Sequence, residues 1–204
     1  MEPTDRIAQR AYRYWYDDGI VELVGAGLFG LLAAYFYIQA LAPQGPVAAL
    51  SALLLPLIVI GGMLLSKRIV RALKERFTYP RTGYVSYHKR SPARRRLSVV
   101  LGALVGAVVA FWTLRSEVSL NWLLLIQSLA FAFGLAVSAW RFGLWRFWGL
   151  AGLAVLAGVW VSRSGWSIER ADAAFFGALA LGMLLSGLWA LWNYLRHTQP
   201  SAEA

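Results

Sequence analysis

An ionisable side chain inside a membrane span is costly there and is by default a functional candidate. This 204-residue chain has few of them. Glu22 is the one acid inside a long apolar run, close to its start, and Asp17 and Asp18 come just before it. Such an acidic cluster has two uses. It pairs with Lys or Arg from 67–97 at the membrane surface, or it holds a cation or proton at the cytoplasmic mouth of a pathway. Gln127 is the only strongly polar side chain deep in another apolar run, with Ser128 beside it. A hydrogen bond between helices suits that pair.

The sets that carry catalysis are missing. The two histidines, His88 and His197, fall outside the apolar runs, and no His-Glu-x-x-His pattern exists for a zinc protease. There is no Walker motif, and no Ser and His share an apolar run. Asp18-Gly19 leads to Ile20-Val21, not to the Asp-Gly-x-x-Ala-Arg pattern of phospholipid-forming alcohol transferases. The Arg, His and Ser-Gly-His sets of membrane phosphatases are absent too. A hydrolase or transferase needs a positioned acid, base or nucleophile. The sequence therefore predicts no catalytic residues, no metal and no cofactor. Rings of polar or charged residues of the kind that line channels are not visible either.

Composition sets the class that must position these residues. Hydrophobic residues make up 59% of the chain and charged residues 15%, with no Cys. Soluble domains run near 45–50% apolar and about 25% charged. A secreted disulfide scaffold, a disordered tail and an ordinary cytosolic enzyme are excluded. Six stretches approach the roughly 20 residues that cross a bilayer. They are 20–41, 47–65, 98–114, 120–140, 147–161 and 173–195. The fifth is the shortest, and it requires Trp145 and Arg146 to snorkel to the surface.

Charge orients the bundle. With both termini cytoplasmic, 17 of the 20 Lys and Arg lie inside, and only Arg115, Arg163 and Arg170 lie outside. The ten Trp fall at or near the predicted span ends, as an aromatic belt does. The first apolar run is too long for a signal-peptide core and reads as an uncleaved anchor.

Residues 1–19 read as an interfacial amphipathic segment, with Ile7, Ala11, Tyr14 and Trp15 at helical spacing beside Arg6, Arg10 and Arg13. Residues 42–46, with two prolines and a glycine, make a tight turn between spans one and two. The cytoplasmic loop 66–97 holds eleven basic residues against Glu75, so the whole net charge of +10 sits there. Its first part, 66–76, continues span two as a helix. Phe77-Thr78-Tyr79 and Tyr84-Val85-Ser86-Tyr87 are β-prone around a Pro80-Arg81-Thr82-Gly83 turn. Residues 196–204 form a short polar tail.

The loop presents Tyr79, Arg81, Tyr84, Tyr87, Arg94, Arg95 and Arg96 as candidate contacts for anionic phospholipid headgroups. The same residues suit an acidic partner protein. Nucleic acid is not expected, because the adjacent membrane accounts for the charge. Gly102 and Gly106, and Gly177, Gly182 and Gly187, provide small faces for helix packing or for a homo-oligomer. At an offset of 48 residues, spans three–four and five–six share a weak repeat, including Trp112/Trp160, Arg115/Arg163 and Ser116/Ser164. Duplicated hairpins would produce it.

Two stretches carry a resemblance. Tyr14-Trp15-Tyr16-Asp17-Asp18-Gly19-Ile20-Val21-Glu22 and Lys74-Glu75-Arg76-Phe77-Thr78-Tyr79-Pro80-Arg81-Thr82-Gly83-Tyr84-Val85 resemble a family of uncharacterised bacterial multi-spanning membrane proteins. In that family an aromatic–Asp-Gly lead-in precedes the first span and a Tyr-Pro-Arg-x-Gly-Tyr-Val loop follows the second. The resemblance covers about 20 residues of the first half and implies no activity. It implies that the two motifs meet at the cytoplasmic face, with Asp17, Asp18 or Glu22 pairing to Arg81.

The expectation is an all-α transmembrane bundle, six spans as three hairpins, in a bacterial or archaeal cytoplasmic membrane. Its expected role is that of a non-catalytic accessory, scaffold or anionic-lipid-interacting component. The alternative is a small transporter with a path between the duplicated hairpins.

Overall fold

Backbone amides in hydrocarbon have no water to bond, so a spanning segment satisfies them within a helix. The apolar runs do so. The computed structural model describes residues 15–41, 46–79 and 120–198. Its helices are α1 (Ile20–Leu41), α2 (Pro46–Phe77), α3 (Leu120–Phe142), α4 (Trp145–Arg163) and α5 (Ile168–His197). All five are long and apolar enough to cross a membrane. Among the described residues there is no strand. The expected third span, 98–114, lies outside the described residues, as do Gly102, Gly106, the span-three part of the hairpin repeat, residues 1–14 and the turn at 42–45.

The boundaries differ from the sequence reading in three places. α4 is 19 residues long, because the helix takes in Trp145-Arg146 and extends to Arg163. At 1.5 Å per residue it covers about 28 Å, enough for a core about 30 Å thick. α5 begins at Ile168 rather than at residue 173 and runs 30 residues. α2 does not stop for a β-prone stretch at Phe77-Thr78-Tyr79 but stays helical to Phe77. Thr78 closes it, its amide and its hydroxyl both donating to the Lys74 carbonyl at 2.9 and 3.1 Å. Local hydrogen bonding there outweighs β propensity, which depends strongly on context. Pro46 takes the first position of α2, where a missing N–H costs nothing.

Sequential helices α1–α2, α3–α4 and α4–α5 pack antiparallel, and α1 also lies antiparallel along α5. Aromatic rings fill the middle. Phe176 stacks on Phe29 and Phe36 at centroid distances of 5.9 and 5.6 Å, and Phe131 meets it edge-on at 5.7 Å. Ala154, Ala171 and Leu179 beside them are completely buried. α2 packs on α1 and leaves Leu53, Leu57, Ile60 and Leu64 exposed. Trp140, Trp145, Trp148, Trp189 and Trp192 ring one end of the bundle, and Trp122, Trp160 and Trp166 ring the other, all exposed. Along α3, Trp122 and Trp140 stand about 27 Å apart, close to the thickness of a hydrocarbon core.

Small residues set the closest crossings. Gly182 faces Leu153, Gly158 faces Ser128, and Gly187 faces the Gly19 carbonyl. The glycines of α5 thus serve packing within the chain. Gly19 is the most constrained, with φ +71° and the Gly187 carbonyl oxygen 2.4 Å from where a Cβ would sit. An alanine there combines left-handed strain with a backbone clash. Gly19→Ala is expected to lose about 1–3 kcal/mol or more. Gly149→Ala, where a Cβ meets nothing within 4 Å, is expected to be neutral or slightly stabilising. Thermal unfolding of both variants in mild detergent checks the contrast.

Candidate functional site

The charged groups converge at the end of the bundle that carries Lys67, Arg68, Arg71, Lys74, Arg76, Arg141, Arg146 and Arg196. Residues 15–17 form one helical turn, and Gly19 reverses the chain into α1, its amide donating to the Tyr16 carbonyl at 3.2 Å. Asp18 Oδ1 accepts from the Ile20 amide at 3.2 Å, as a helix-capping carboxylate does. The turn also leaves the Trp15 and Tyr16 carbonyls pointing at neighbouring helices. Each is filled by a cation.

Lys74 of α2 fills the first. Its Nζ donates to the Trp15 carbonyl at 2.8 Å and pairs with Asp18 Oδ2. It also stands 4.7 Å from the centroid of the Trp15 ring, within cation–π reach. Asp18 and Lys74 are each 2% exposed. Arg146 of α4 fills the second, its Nη2 donating to the Tyr16 carbonyl. Its Nε lies 2.6 Å from Glu22 Oε1, and Ser186 of α5 donates its hydroxyl to Glu22 Oε2 at 2.5 Å. Glu22 is 1% exposed. The Glu22 carboxylate therefore ties α1, α4 and α5 together, while the Asp18 carboxylate ties the lead-in turn to α2.

Arg146 corrects the sequence reading. It does not snorkel outward but turns into the bundle, because a buried carboxylate at Glu22 makes the inward position favourable. Of the two readings of the acidic cluster, ion pairing with 67–97 describes Asp18 and Lys74. Glu22 takes its partner from α4 instead. Asp17 is half-buried beside them. The suggested partner Arg81 lies outside the described residues, with Tyr84, Tyr87, Arg94, Arg95 and Arg96. Tyr79 is half-buried at the end of the described segment.

Gln127 joins helices, as expected of it. Its Nε2 donates to Asp172 Oδ1 at 3.0 Å, linking α3 to α5. Sequence reasoning missed Asp172 because it began the last span one residue later. A signal was there. Asp172, Phe175, Phe176 and Leu179 follow the three- and four-residue spacing of one helix face, and all four are buried. Lys74 carried a similar signal, spaced by four residues from Val70 and from Thr78, which are both buried. Nothing local in the sequence marks Arg146 or Ser186 as partners of Glu22.

Two large grooves, each of about 680 Å³, open on the sides of the bundle. One lies between α1 and α5 near Tyr37, Trp166 and Arg170, and the other lies between α1 and α2. Neither is lined by Glu22 or Gln127.

Removing one partner of a buried ion pair leaves an uncompensated charge, a cost of about 3–5 kcal/mol. Arg146→Met is expected to lose that much, and adding Glu22→Gln to it is expected to restore most of the loss. A double-mutant cycle by denaturant unfolding in detergent reads the coupling. Gln127→Leu removes the donor to Asp172 and is expected to cost about 1–3 kcal/mol, relieved when Asp172→Leu accompanies it. The same unfolding assay checks this second cycle.

No protein-family model matches the chain, and neither a curated protein nor a solved structure shows a significant match to it.

Proposed function

We propose that the protein is a non-catalytic component of a cytoplasmic membrane that engages anionic phospholipid headgroups through the basic segment after its second span. One observation carries this reading. α2 continues without a break from its apolar span into a basic extension, on which Lys67, Arg68, Arg71 and Arg76 are exposed while Lys74 is turned inward. From Ser66 to Phe77 that extension rises about 16 Å, so it stands in the headgroup layer and beyond. Each exposed Lys or Arg near an anionic surface contributes about 1 kcal/mol.

The same charge supports the orientation. Among the described residues, the end built around Lys74 and Arg146 holds eight Lys and Arg, and the other end holds Arg163 and Arg170. The positive-inside rule puts the richer end in the cytoplasm, together with the C-terminal end of α5. Membership in the bacterial family with the aromatic–Asp-Gly lead-in is part of this proposal. A transporter would be favoured by a polar cavity reaching Glu22 or Gln127. Neither of the two large grooves among the described residues is lined by Glu22 or Gln127.

Extraction from the membrane in polymer-bounded lipid discs tests the proposal. The wild-type protein is expected to carry a higher ratio of anionic to zwitterionic lipid than the bulk membrane. The quadruple variant K67Q/R68Q/R71Q/R76Q is expected to lose that enrichment while still inserting. R163Q/R170Q at the opposite end is expected to keep it. Equal enrichment in both variants would overturn the assignment.

A further inference from the structure

We propose that the groove between α1 and α2 is the seat of one phospholipid with an anionic headgroup, its acyl chain in the groove and its phosphate at Arg68. This rests on the headgroup-binding reading above and gives it a defined place. The groove holds about 680 Å³, within the range of about 300–1,000 Å³ typical of ligand clefts. Leu23, Leu28 and Leu31 of α1 face Leu57, Ile58 and Leu65 of α2 across it. Gly27 and Gly61 lie between them, and a Cβ at either would meet no atom within 4 Å, whereas Leu28 packs tightly on Gly62 beside them. The absent side chains of Gly27 and Gly61 leave space that the described residues do not fill.

An apolar groove alone does not choose among lipids, because a tail in the bilayer is already in an apolar medium. Selection comes from the basic face of α2 beside the groove, whose own lining is apolar apart from Ser66. The groove continues past Ser66 to Ile69 and Leu73, alongside the basic extension of α2. Arg68 follows Gly61 by two helical turns and so lies on nearly the same face. Lys67, Arg68, Arg71, Ala72 and Glu75 line a further pocket of about 220 Å³. Three cations and one acid leave that pocket net positive. Lys74 does not compete, because Asp18 and the Trp15 carbonyl hold it. An arginine guanidinium offers a planar fork that matches a phosphate.

The dimensions agree with a lipid standing in one leaflet. From Leu57 to Arg68, α2 rises about 16 Å. Half of a hydrocarbon core is about 15 Å. A tail lying along the groove therefore brings its phosphate to the level of Arg68.

Native mass spectrometry of the intact protein in mild detergent tests the site. Phosphatidylglycerol or phosphatidylcholine with identical acyl chains is added at equal concentration. The wild type is expected to retain one phosphatidylglycerol in preference to phosphatidylcholine. R68Q/R71Q is expected to keep its phosphatidylcholine level and to lose roughly 30-fold in preference, the value for two basic side chains at an anionic surface. G61L is expected to lose both lipids by filling the groove, and G27L is expected to do the same from the opposite wall. Agreement of the two leucine variants separates a filled groove from a local packing defect.

Retention of phosphatidylglycerol by both G61L and G27L would overturn the groove and leave the headgroup role standing. No lipid preference in the wild type would overturn both. Conversion of a dimer to a monomer by the leucine variants, without change in bound lipid, would give the groove to a second copy of the chain and overturn the lipid.

Discussion

A carboxylate that is 1% exposed near the end of a membrane helix must be matched or it does not stay there as an ion. Glu22 is such a group, and the arrangement of the charged end follows from it. Arg146 has to turn inward, so the α3–α4 connection is drawn against the lead-in turn. Ser186 has to face α1, which brings α5 close. The closeness in turn requires Gly19 and Gly187 at the crossing, since a Cβ on Gly19 would sit 2.4 Å from the Gly187 carbonyl oxygen. Charge pairing and small-residue packing are thus one constraint met from two sides.

The second pair works on a different part of the fold. α2 touches the rest of the described bundle chiefly through α1. Lys74 adds an anchor at its C-terminal end, reaching Asp18, the Trp15 carbonyl and the Trp15 ring. One face of the extension is thereby committed to holding the helix in place. The residues around the helix from Lys74 remain exposed and positive, so the same segment serves as brace and as surface. The proposed lipid headgroup at Arg68 and Arg71 rests on that division.

At the other end the polar demand is smaller. Asp172 and Gln127 satisfy one another across α3 and α5, and Ser128 and Ser162 bond back to carbonyls of their own helices at 2.9 and 3.0 Å. The aromatic cluster around Phe176 separates this end from the charged one. The middle of the described bundle is therefore apolar, and its charged chemistry lies at the ends and along the side of α2.

Hydropathy along the chain located all five described helices, because a span needs a long apolar run and little else. Charge counting and the Trp positions likewise marked the two ends of the bundle. Those properties are local, and each residue contributes to them independently of its neighbours in space. Ends are less legible: an apolar run beginning at residue 173 leaves the interior Asp172 outside α5, and the β propensity of Phe77 gives way to a helix end closed by the Thr78–Lys74 hydrogen bonds. Residue type and position within apolar runs are enough to say that Glu22, Asp18 and Gln127 need partners. The packing of the helices identifies those partners as Arg146 and Ser186, Lys74, and Asp172. The reason is physical. Burial fixes that a charge must be neutralised, but which cation does so depends on how helices far apart in sequence cross, and a helical pattern does not encode that crossing.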